Sequence, residues 1–142
     1  MNRLNLHFRH WLLGALLFCA GNSQAQLAVT VSPPKIVGQK AVVKLAMKNN
    51  LADKVESARA VVFLLDGQGK MVGQSTKWVI GGTKDRPPLE PKGETTFNFV
   101  ITSPQPFTTT NLTANVSFSR VLFGGGKPAD VRQEVIVTSA TK

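Results

Sequence analysis

Residues 111–119 read NLTANVSFS, and their period is two: Leu112, Ala114, Val116 and Phe118 alternate with Thr113, Asn115, Ser117 and Ser119. A strand sends successive side chains to opposite faces, so this pattern predicts a strand with one dry and one wet side. The same alternation sets Val43, Leu45 and Met47 against Lys44, Ala46 and Lys48, and Phe97, Phe99 and Ile101 against Thr96, Asn98 and Thr102. Residues 60–65 (AVVFLL) are apolar at both parities, which predicts a central strand. Asp66-Gly67-Gln68-Gly69 then supplies two glycines for the positive φ angles of a short hairpin. Residues 81–94 (GGTKDRPPLEPKGE) carry three prolines and predict a surface crossover rather than a central strand.

Strands are expected at about 27–31, 40–48, 55–65, 70–80, 95–102, 111–123 and 130–138, and no stretch predicts a helix. In the sixth of these the alternation slips at Arg120-Val121, where a bulge would return Leu122 or Phe123 to the inward face. Gly124-Gly125-Gly126 with Lys127-Pro128 predicts a flexible link into the last strand. The expected fold class is all-β: an immunoglobulin-like antiparallel β-sandwich of about seven strands.

Residues 1–25 have the three regions of a secretory signal peptide. Arg3 and Arg9 give a positive start, residues 11–20 (WLLGALLFCA) form an apolar run, and Ser23-Gln24-Ala25 places small residues where a signal peptidase needs them. Cleavage is expected between Ala25 and Gln26, leaving residues 26–142 as one sandwich domain with no membrane span. The apolar run is too short to cross a bilayer core as an anchor. Phe18 also disfavours lipidation at Cys19, because a lipobox wants a small residue just before the cysteine. The expected location is therefore periplasmic or secreted.

That leader holds both histidines, His7 and His10, and Cys19, the one cysteine of the chain; residues 26–142 contain no His, Cys or Tyr. The common general bases, thiol nucleophiles and soft metal ligands are missing from the expected mature chain, so no catalytic residue, cofactor or metal site is expected. Removing Arg3 and Arg9 leaves 15 basic residues against 8 acidic ones, a net charge of +7 that favours anionic partners.

Asn49-Asn50, residues 62–66 (VFLLD), residues 69–73 (GKMVG), residues 89–94 (LEPKGE) and Phe97-Asn98-Phe99 resemble the FxLYD-type family of bacterial envelope domains over residues 40–123. The position of the namesake Phe is Val62 here and that of the Tyr is Leu65. The resemblance implies an immunoglobulin-like sandwich with an Asn closing an early strand, an Asp ending another and a Pro-x-Gly-Glu turn. It implies no catalytic or ligand residues.

Among candidate sites, Lys40, Lys44 and Lys48 share the parity opposite to Val43, Leu45 and Met47, which predicts a basic stripe on the solvent face. Its two readings are docking to an anionic polymer or acidic envelope protein, and plain solubility with protection against edge-to-edge pairing. The eight carboxylates (Asp53, Glu56, Asp66, Asp85, Glu90, Glu94, Asp130 and Glu134) sit beside expected turns or on wet faces, the ordinary place for solvated charges. Asn111-Leu112-Thr113 and Asn115-Val116-Ser117 fit the glycosylation pattern and read as an unmodified wet face. Trp78 is the one tryptophan outside the leader, too little aromatic surface for a nucleic-acid stacking platform. The expectation is a non-catalytic binding or scaffolding module of the cell envelope. A carbohydrate-binding module using Trp78 is the alternative, and a hydrolase built on carboxylates a more distant one.

Overall fold

The computed structural model describes residues 25–140. The leader expectation lies mostly outside them, in residues 1–24. Eight strands and one helical turn follow in order: β1 (Leu27–Val31), β2 (Lys35–Val37), β3 (Lys40–Asn49), β4 (Val55–Leu65), β5 (Met71–Ile80), β6 (Glu94–Thr102), β7 (Thr113–Phe123), α1 (Val131–Glu134) and β8 (Val135–Ser139). They form a β-sandwich, the expected all-β architecture, with β6, β3, β1, β2 and β8 in one sheet and β5-β4-β7 in the other.

Alternation places the core. On β3, Ala41, Val43, Leu45, Met47 and Asn49 are buried while Lys40, Lys44, Ala46 and Lys48 are exposed. On β4, Ala58, Ala60, Val62 and Leu64 are fully buried, and Val61, Phe63 and Leu65 on the other side are half-buried. This strand is central, hydrogen-bonded to β5 on one side and β7 on the other, as its two-sided apolar sequence requires. Phe99 from β6 is the largest fully buried side chain; it meets Phe97 edge-on at 5.0 Å between centroids.

Three local features depart from expectation. The short strand β2 is an addition: three residues between Pro33-Pro34 and Gly38 are too few to show a period, yet Lys35, Ile36 and Val37 pair with Val42, Ala41 and Lys40. Together β1 and β2 run along one side of β3, interrupted where the two prolines lack ladder donors. The last expected strand begins instead as the helical turn α1, because Asp130 caps it: its carboxylate accepts from the Arg132 amide at 3.1 Å, and its own amide donates to Glu134 at 2.8 Å. Finally, β8 pairs with β1 in parallel rather than antiparallel. The chain first returns along β7, with the Ala129 amide donating to the Val121 carbonyl at 2.9 Å, and α1 then carries it to the opposite sheet.

The hairpin after β4 forms at Asp66, whose carboxylate accepts from the Gln68 and Lys70 amides, each at 2.9 Å. Of its two glycines only Gly69 takes a positive φ, 79°. Residues 81–93 cross from β5 in one sheet to β6 in the other, as a proline-rich segment can. Among the contacts that hold this crossover down, Leu89 exchanges backbone hydrogen bonds with Val55, both 2.9 Å, and the Arg86 guanidinium lies 4.1 Å from the Phe97 ring centroid.

Candidate functional site

Lys40, Lys44 and Lys48 all project from the outer face of the larger sheet. Their strand, however, is flanked on both sides, by β6 and by β1 with β2. A strand with both ladders filled needs no protection against edge pairing, so that explanation of the lysines does not apply.

Register shows which of the three is free. Lys48 stands opposite Glu94 of β6 and its ammonium lies 3.8 Å from that carboxylate, the one ion pair among the described residues. Lys44 faces Asn98, and Lys40 faces Thr102. Lys35, which sequence reading missed because β2 is so short, shares this face and pairs with Val42. It is the diagonal neighbour of both Lys40 and Lys44, about 7–8 Å away by sheet geometry. The free positive charge is therefore a triad of Lys35, Lys40 and Lys44, displaced from the centre of the expected stripe.

The triad is not surrounded by polar groups alone. Half-buried Val42 lies at its centre, flanked by Lys35 and by Val100, and Val37 lies beside Lys40; Val37 is 61% exposed and Val100 49%. On the Lys48 side of Lys44 the side chains shorten to Ala28, Thr30, Ala46 and Thr96, and the sheet dips into a shallow depression of ≈ 700 Å³ ending at Lys48 and Glu94. A long ligand could lie across this dip with cations at both ends.

The remaining candidates disperse. Asp66 serves its turn, Asp130 and Glu134 cap α1, and Glu94 pairs with Lys48. Asp53, Glu56, Asp85 and Glu90 are exposed. No three His, Cys, Asp or Glu side chains among the described residues come together as a metal-binding group. Asn111 precedes β7 rather than lying on it, and Asn115 is exposed on its outer face. Trp78 is half-buried on β5, opposite Arg59 of β4.

Compared with protein-family models, with curated proteins and with solved structures, the chain matches none.

Proposed function

We propose that this protein is an exported, non-catalytic binding module that docks an anionic polymer of the cell envelope on the outer face of its larger sheet. The observation that carries this reading is the triad of Lys35, Lys40 and Lys44, which has no carboxylate partner among the described residues and stands on the outer face of the larger sheet beside an open depression. Lys40 and Lys44 stand about 13 Å apart at strand rise with Lys35 diagonal to both, so three free ammonium groups can meet successive charges of a repeating polymer. Exposed lysines keep their hydration, so the contact is electrostatic, fast and weak per site, and its strength comes from repetition. An acidic envelope protein would satisfy the same charges without needing so extended a face.

The test is retention on envelope fractions before and after protein removal by protease, comparing the parent with Lys35→Gln/Lys40→Gln/Lys44→Gln. Retention that survives protease, falls in the variant and disappears near 1 M salt, where screening acts within about 3 Å, supports the reading. Retention that vanishes with protease makes the partner a protein; retention that ignores all three substitutions removes the lysine face from the account.

A further inference from the structure

We infer that the outer face of the smaller sheet is a second, independent site, which binds an acidic saccharide through Arg59, Arg120 and Trp78. These residues form one row across the three strands: Arg59 at the centre on β4, Arg120 opposite it on β7 and Trp78 opposite it on β5. Both arginines are exposed, and neither guanidinium has a hydrogen-bond or carboxylate partner among the described residues. Like charges directly opposite each other across a ladder are destabilising. Two adjacent guanidinium forks are, however, a good match for one oxyanion, which can accept from both.

Two of the four ladder irregularities in this sheet fall at this row. The pairing of β4 with β5 shifts between Ala58 and Arg59, and that with β7 shifts between Arg59 and Ala60. Ala60 pairs with Phe118, so a regular ladder would put Ser119 opposite Arg59; the bulge at Ser119 puts Arg120 there instead. The bulge is fastened, since the Ser119 hydroxyl donates to the Arg59 carbonyl at 3.3 Å. Bulges re-aim side chains and concentrate beside functional sites. Here one creates a like-charge pair that regular pairing would have avoided. The indole is fixed as well: Gly82, at φ +76°, lies so close to Trp78 that any Cβ there would collide with the ring.

The rest of the face indicates the ligand. Beyond the arginine row, Val61 is flanked by Thr76 and Ser117, Phe63 by Gln74 and Asn115, and Leu65 by Met71 and Thr113. The neutral hydroxyl and amide groups on either side of Val61 and Phe63 suit sugar hydroxyls and ring faces, while the arginines take a carboxylate or phosphate on the sugar. An acyl chain would call for a continuous, strongly exposed apolar surface; on this sheet the exposed apolar side chains, Met71 at 52% and Val72 at 37%, stand at the start of β5, the far end of that strand from Trp78, and Val37 and Val100 lie on the other sheet. This inference does not rest on the lysine face, because the two faces are on opposite sides of the sandwich.

The experiment is an NMR titration following the Trp78 indole N–H, assigned by its loss in Trp78→Phe, using the protein purified as the cell delivers it. The probes are oligogalacturonate, a neutral cello-oligosaccharide and phosphatidylglycerol vesicles. Oligogalacturonate should move the signal, with affinity falling at least about tenfold in Arg59→Gln/Arg120→Gln and little changed in the triple lysine variant. Arg59→Lys/Arg120→Lys keeps the charge but loses the fork, and should give a smaller loss, so the comparison stands if the glutamine pair folds poorly. Equal binding of acidic and neutral sugars, a response to vesicles alone, or unchanged affinity in both double variants would overturn the inference. Loss of oligogalacturonate binding in the lysine variant alone would move the saccharide to the other face.

Discussion

The side-chain amide of Asn49 donates to the Leu89 carbonyl, forty residues further along the chain, at 3.0 Å. The same amide donates to the Asp53 carbonyl at 2.9 Å, and its oxygen accepts from the Leu51 amide at 3.0 Å. Backbone bonds join Asn49 to Lys92 and Gly93 as well. One fully buried residue thus ties the turn after β3 to the crossover before β6, and it does so where no water reaches.

Asn49→Leu keeps the branched shape, though with bulkier methyl groups, and removes all three side-chain hydrogen bonds. The Leu89 carbonyl still accepts from Val55, but the Leu51 amide and Asp53 carbonyl lose their partner. A loss of about 3 kcal/mol is expected, at one to two for each polar group left unpaired. Urea unfolding measures it, and a loss below about 1 kcal/mol would show that water replaces the amide.

Gly81 is the second fixed point. Its φ is +50°, and a Cβ there would collide with the Glu56 carbonyl. Gly125 also has a positive φ, +83°, with open space around it. Gly125→Ala should therefore cost about 1–2 kcal/mol from conformation alone, and Gly81→Ala distinctly more, to the point of preventing folding. Similar melting points for the two variants would mean that the crossover yields more easily than its packing implies.

Much of this architecture was legible because burial enforces period two. Val43, Leu45 and Met47 had to face one way, and Lys40, Lys44 and Lys48 the other. The slip expected at Arg120-Val121 occurs one residue earlier, at Ser119, and returns Val121 and Phe123 to the core. What the sequence could not display is pairing between strands. Lys35 enters the basic triad only through the β2 ladder, Lys48 leaves it only because Glu94 arrives opposite, and Arg59 meets Arg120 only through a bulge. Each is a contact between residues far apart in the chain, and alternation within one segment carries no information about its neighbour's register.

Glu94 offers a gain-of-binding test of the lysine face. Both members of the Lys48–Glu94 pair are largely exposed, with side chains 50% and 72% accessible. Its contribution to stability is therefore small, about 0.5 kcal/mol or less after solvent screening. Glu94→Gln should leave the melting temperature nearly unchanged while freeing Lys48 and strengthening retention on anionic polymer at low salt, and the gain should fade as salt rises. A variant that binds no better than the parent would place the polymer at the Lys35 end alone.

The N-terminal boundary gives the last prediction. Gln26 is the first of the described residues with tertiary hydrogen bonds: its carbonyl accepts from the Asn50 amide at 3.1 Å, and its side chain donates to the Gln133 carbonyl at 2.9 Å. Leu27 follows, fully buried and paired with both Asn49 and Val135, whereas Ala25 is exposed. Cleavage between Ala25 and Gln26 would leave all of these contacts in place, and on the proposed export the mature protein should begin at Gln26 by N-terminal sequencing or intact mass. Chains made to start at Ala25 and at Gln26 should melt together. A chain started at Ala28 should lose about 2 kcal/mol for the missing Leu27 side chain alone, and more for the shortened ladders that hold β8 in place. A mature protein beginning at a lipid-modified Cys19 would refute the cleavage site, and a chain started at Ala28 that melts with the others would show that β1 contributes less to the sandwich than its burial indicates.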